Sequence, residues 1–123
     1  MRIATIVVTY NRKELLLECL EHLFDQSYGS DIIVVDNNSD DGTEEALREL
    51  IEKKKIQYIN TGANLGGAGG FQYGIKYATE SGYDYLWIMD DDSMPTSNAL
   101  EELLRWGKTY CLQVHLAKIS IFP

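Results

Sequence analysis

The apolar positions along this chain switch repeatedly between two spacings. Ile3 to Val8 is a nearly unbroken apolar run, suited to a strand buried on both faces. After Tyr10-Asn11 the period becomes helical, with Leu15, Leu16, Cys19, Leu20, Leu23 and Phe24 on one stripe. Asn11 occupies the N-cap place, and Glu14 follows at capping-box distance. Ser27 to Ser30 reads as a turn and Ile32-Ile33-Val34-Val35 as a second buried strand. Ala46, Leu47, Leu50 and Ile51 mark a second helix, closed by Lys53, Lys54 and Lys55 at its negative dipole end.

Ile56 to Asn60 predicts a third strand, and Gly62 to Phe71 a glycine-rich loop. Phe71, Ile75 and Ala78 predict a third helix, which Ser81-Gly82 ends. Tyr83 to Met89 is the fourth strand. Leu100, Leu103 and Leu104 carry a fourth helix with Ser97 or Asn98 as its cap. Four strand-helix alternations predict an α/β fold of three layers, a mostly parallel sheet between helices. Residues 107–123 fit this pattern poorly: a strand near the end is the one element their spacing suggests.

Ligands of open α/β sheets bind outside the carboxyl ends of the strands. Each predicted strand here ends in polar groups: Thr9-Tyr10-Asn11, Asp36-Asn37-Asn38-Ser39, the glycine loop after Asn60, and Asp90-Asp91-Asp92. Adjacent unit charges about 5 Å apart repel by roughly 3 kcal/mol at an effective dielectric of 20. Three consecutive carboxylates at the mouth of an apolar strand therefore call for a use. In extended backbone Asp90 and Asp92 share one face and Asp91 takes the other, a spacing that lets the pair grip one hard divalent cation. The competing use is a solvated acidic turn ahead of the fourth helix. Tyr10 suits either a nucleobase face or the sheet edge. Asp36 and Asn37 suit the polar edge of a pyrimidine and a ribose hydroxyl, or turn and capping duties shared with Ser39, Asp40 and Asp41.

The glycine loop lacks the dinucleotide spacing, since Gln72 stands where its third glycine belongs, and Ile75 replaces the lysine of a P-loop. It remains either a backbone that lets a ligand approach closely or a tight structural turn. No Ser-His-Asp or Cys-His set assembles from the strand ends, and His22 and His115 lie away from them.

Composition narrows the choice. With 123 residues, 45% hydrophobic and 24% charged, the chain is one domain or part of one. Its net charge of -8 argues against a nucleic-acid surface, while a divalent cation would still admit a diphosphate. Cys19, on an apolar helix face, reads as a buried free thiol, and the two cysteines fit a reducing cytoplasm. No apolar run reaches the length of a membrane span, and no signal peptide is expected.

Four stretches in order, "IVVTYNR", "IIVVDNNSDDGT", "NLGGAGGFQYGI" and "YLWIMDDDSMP", resemble the family 2 glycosyltransferases of the GT-A fold. The resemblance covers about Ile3 to Leu104. The "NLGGAGG" and "WIMDDD" forms are most similar to the branch using UDP-galactofuranose, with rhamnosyltransferases near. It implies a truncated, Rossmann-like nucleotide-diphospho-sugar transferase sheet, with residues 1–106 as the donor-binding part and 107–123 as an unplaced tail. Thr9, Tyr10, Asn11, Asp36 and Asn37 would serve the nucleoside, though many members carry Asp where Asn37 stands. Asn64, Gly66, Gly67 and Gly70 would lie near the diphosphate or sugar. The family's DXD motif falls on Asp90-Asp91-Asp92, with Asp90 and Asp91 toward the donor and Asp90 and Asp92 holding Mn2+ or Mg2+.

The activity implied is inverting transfer of a sugar from UDP-galactofuranose, another UDP-sugar or dTDP-rhamnose to a glycan or lipid-linked glycan. It belongs to bacterial cell-wall or polysaccharide synthesis, cytoplasmic or peripheral at the inner membrane face. The general base is expected downstream of Pro123, so no catalytic residue is assigned. The alternatives are a donor-binding module without turnover and a nucleotidyltransferase. The latter wants a glycine-rich basic loop where Thr9-Tyr10-Asn11-Arg12 stands.

Overall fold

A computed structural model describes residues 2–114 and 117–121, with side chains through Arg105. In chain order the elements are β1 (Ile3–Thr9), α1 (Lys13–Phe24), β2 (Asp31–Asp36), α2 (Thr43–Glu52) and β3 (Gln57–Asn60). They continue with α3 (Gly66–Glu80), β4 (Tyr85–Asp90), α4 (Ala99–Tyr110), β5 (Cys111–Val114) and β6 (Ala117–Ile121). The strands form one sheet in the order β3-β2-β1-β4-β6-β5. All neighbours are parallel except β5, which runs antiparallel to β6. The tail thus carries the end of α4 and two further strands of the same sheet.

Side-chain alternation along the strands sorts the core into two layers. Ile3, Val7, Ile32, Val34, Trp87 and Met89 meet Leu16, Cys19, Leu20 and Leu23 of α1, Leu47 of α2 and Leu100 of α4. Ala4, Ile6, Val8, Ile33, Val35 and Leu86 face α3 through Ala78, with Phe71 and Ile75 partly buried beside them. Burying a side chain such as Leu16, Leu20, Leu47 or Leu100 contributes about 1.5–3 kcal/mol each, and all four are 2% exposed or less. Helices therefore cover both faces of the sheet, as the alternation of spacings predicts.

α3 begins earlier than its apolar period suggests. Most of the glycine-rich stretch is its first turns, because glycine serves there for close packing. A Cβ on Gly74 would lie 2.7 Å from Ile6 Cγ2 and 2.9 Å from Val35 Cγ2. A Cβ on Gly70 would lie 2.6 Å from Val8 Cγ1. The helix rests on the sheet through glycine backbone.

Two local expectations change. The residue before α1 is Arg12, while Asn11 adopts φ 49 in the preceding turn. The chain also stops being extended at Asp90, where the Ser93 N–H closes onto the Asp90 carbonyl at 3.1 Å. α4 does follow directly on Asn98, and the Gln26 side-chain oxygen accepts the free N–H of Leu100 in its first turn.

Candidate functional site

Strand register brings the polar ends of the chain's strands to one edge. Thr9 stands opposite Asp36, Asp36 opposite Asn60, and Val8 opposite Asp90. The loops that follow are bonded to one another. The Asn11 N–H donates to Ser39 Oγ and the Asp40 N–H to Asn11 Oδ1, both at 2.8 Å. The Lys13 N–H, free at the start of α1, donates to Asp41 Oδ2 at 3.1 Å. The loops after β1 and β2 thus form one rim.

Above this edge lies a cleft of about 270 Å³ lined by Val8, Thr9, Tyr10, Arg12, Asn37, Asn64, Gly66, Gly67, Asp90 and Asp91. Eight of the residues singled out from the sequence line it: Thr9, Tyr10, Asn37, Asn64, Gly66, Gly67, Asp90 and Asp91. Tyr10 is exposed to it, whereas Thr9 and Asn37 form its buried floor.

Asn11, Asp36, Gly70 and Asp92 do not line the cleft. Asn11 is spent on the rim. Asp36 is fully buried: its Oδ1 accepts the Ser39 N–H and hydroxyl, and its Oδ2 accepts the Tyr58 hydroxyl at 2.6 Å. Burial and this bond to a carboxylate push the Tyr58 phenol well above its ordinary value. Gly70 lies beneath the wall, against Val8 and Asn37. Asp92 is exposed at the outer side of the turn.

The turn after Asp90 changes how the three carboxylates are divided. Asp91 is the buried one, 2% exposed, and its Oδ2 accepts the Thr9 hydroxyl at 2.9 Å. Burial pushes the Asp91 carboxyl up, against the opposing pull of the Thr9 hydroxyl and the Arg12 guanidinium. Arg12 reaches Asp91 Oδ1 at 3.5 Å and Asp92 Oδ2 at 3.7 Å. It is the cation among the lining residues, and its half-exposed side chain makes these loose, screened ion pairs. The spacing arguments passed over Arg12. Its signal was the basic pair Arg12-Lys13 directly after a polar strand end in an acidic chain.

The other wall is the start of α3. The Gly66 N–H donates to Asn64 Oδ1 at 3.1 Å, and Gly66 takes φ 75, a conformation that suits glycine. Asn64 thus takes the first N–H of the helix, and the N-cap residue Leu65 adds no side-chain bond. The helix's remaining free N–H groups therefore offer an anion site beside carboxylates that repel anions. An anion bound here would need a cation between itself and the aspartates. Asp90 and Asp92 supply the exposed hard oxygen donors such a cation takes, although among the described residues no three acidic, His or Cys side chains form a ready-made cage.

The model of Glycosyl transferase family 2 matches residues 4–119. Galactofuranosyltransferase GlfT1 of Mycolicibacterium smegmatis is 37% identical over 114 residues, which cover 89% of this chain and 36% of that protein. The undecaprenyl-phosphate mannosyltransferase of Micrococcus luteus is 34% identical over 110 residues, covering 89% and 45%. The chain thus spans about a third to under a half of the length of these relatives. Among solved structures, a mannosyltransferase from Pyrobaculum calidifontis in complex with GDP-Man and Mn2+ superposes with a TM-score of 0.75 at 28% identity, covering 85% of this chain and 32% of that one. TarS of S. aureus in complex with UDP superposes at 0.74 with 22% identity, covering 89% and 33%, a likeness of fold.

Proposed function

Because this chain belongs to glycosyl transferase family 2, we propose that its cleft holds the nucleotide-diphosphate donor of a sugar-transfer reaction. The observation that carries this reading is that the first turn of α3, at Gly66 and Gly67, and the carboxylate of Asp90 line the same cleft. A diphosphate meets backbone N–H donors on one side, and acidic oxygens on the other require a bridging cation. Asp90 and Asp92 would hold that cation, Mn2+ or Mg2+. When bound, it stabilises the charge that collects on the departing nucleoside diphosphate. The chain's own part is to seat the base against Tyr10, support the floor through Thr9 and Asn37, and keep Asp91 buried so that the turn presents its neighbours outward.

Similarity to galactofuranosyltransferases favours UDP-galactofuranose as the donor, with other UDP-sugars and dTDP-rhamnose behind it, and transfer with inversion to a glycan or lipid-linked glycan. Residues 1–106 form the donor-binding part in this reading. Among the described residues no helix is long and apolar enough to cross a membrane, and a cytoplasmic site at the inner membrane face suits a lipid-linked acceptor. The chain's share of its relatives' length favours one alternative, a donor-binding module whose turnover needs residues these 123 do not include.

Calorimetry with UDP and Mn2+ tests the donor reading. Saturable heat in the unaltered chain, abolished by Asp92→Ala, is expected. No heat, or heat unaffected by the substitution, would count against it.

A further inference from the structure

Asn37 was expected beside the nucleoside, yet both ends of its side chain already hold bonds to the protein. Its Nδ2 donates to the Gly66 carbonyl at 3.0 Å, and its Oδ1, at 3.2 Å, shares the Thr61 hydroxyl with the Ala63 carbonyl, which lies nearer at 2.6 Å. A carbonyl can only accept, so the end of the side chain that meets Gly66 must be the N–H₂. Aspartate there would lose that bond and press a carboxylate oxygen against the carbonyl. The backbone is tied as well: the Asn37 N–H donates to the Thr9 carbonyl at 3.0 Å, and the Thr61 N–H to the Asp36 carbonyl at 2.9 Å. Gly70 completes the arrangement, since a Cβ there would come within 3.1 Å of Asn37 Nδ2. One residue, 2% exposed, thus ties the end of β1 through its backbone and the segment after β3 and the first residue of α3 through its side chain.

We infer that Asn37 is a positioning residue: it fixes the start of α3 for the donor's diphosphate and makes no direct contact with the nucleoside. The inference rests on the donor-pocket reading above. It assigns to Asn37 a task that an aspartate could not perform in the same way, because it lacks the donor for Gly66.

The test compares UDP with uridine, which shares the nucleoside and lacks the diphosphate, on the unaltered chain and on Asn37→Asp, with Mn2+ present. Affinity for UDP is expected to fall about fivefold or more, the effect of one ordinary hydrogen bond lost, while affinity for uridine stays the same. The amides of Gly66, Gly67 and Ala68 are expected to exchange faster with solvent while those of β1 keep their rates. An equal loss for UDP and uridine would mean direct nucleoside contact and would overturn the inference, as would no loss for either. Should the added carboxylate beside Asp36 prevent folding, Asn37→Ala is expected to give the same split between the two ligands. If the unaltered chain binds neither ligand, the donor reading fails by itself; the amide rates then decide, and unchanged exchange in the variant overturns the positioning role.

Discussion

The hydroxyl of Thr9 donates to Oδ2 of Asp91 at 2.9 Å, and both residues are 2% exposed. This bond joins the ends of neighbouring strands β1 and β4 and supplies a neutral donor to a carboxylate withdrawn from water. Thr9→Val keeps the shape and removes the donor. Leaving a buried acceptor unpaired costs about 1–3 kcal/mol, so the urea midpoint should fall accordingly. Thr9→Ser, which restores the hydroxyl, should recover most of it.

Cys19 is a buried free thiol whose pKa is pushed up to about 12, first by burial and then by the charges of Asp91 and Asp92. The thiol is the inert form toward alkylation. At pH 8 iodoacetamide should leave Cys19 unmodified in the native chain and modify it in urea, as read by peptide mass spectrometry. The folded value lies above the ordinary value of 9.0. Its contribution to stability is therefore fully present below pH 9 and is lost as pH rises from there toward 12. Cys19→Ala should flatten the stability profile across that window.

Gly74 and Gly67 lie in the same helix and should respond oppositely to a methyl group. At Gly74 the added carbon meets Ile6 and Val35 inside 3 Å, and at Gly67 nothing lies within 4 Å. Overpacking of this kind costs about 1–3 kcal/mol, so Gly74→Ala should lower the melting temperature by several degrees. Gly67→Ala should leave it nearly unchanged.

The layers of this fold were readable from spacing because β1 and β2 are buried on both faces while α1, α2 and α3 each bury one stripe. The strand suggested near the end is β6, but β5 was not legible, since Lys108 to Pro123 contains no glycine or earlier proline to punctuate it and its strands are short. The start of α3 inside the glycine stretch was not legible, for a physical reason. Gly66 needs its φ of 75, but Gly70 and Gly74 are small for the sake of Val8, Ile6 and Val35, residues distant in sequence. Cys19 was placed correctly from its helical stripe alone. The strand-end clusters also meet as expected, since parallel strands bring all their carboxyl ends to one edge. What spacing could not supply was the turn at Asp90, which buries Asp91 against Thr9 and leaves Asp92 exposed. Nor could it show the inward commitments of Asp36 and Asn37, which depend on Tyr58, Thr61 and Gly66.

The most direct measurement of the donor-pocket claim is a map of amide chemical shifts in the ¹⁵N-labelled chain as UDP is added with Mg2+. The expected result is a saturable set of shifts at Thr9, Tyr10, Arg12, Asn64, Gly66, Gly67, Asp90 and Asp91, weakened when Mg2+ is omitted. Shifts confined to the outer flank of α3, around Phe71, Ile75 and Thr79, or no shifts at all, would contradict it.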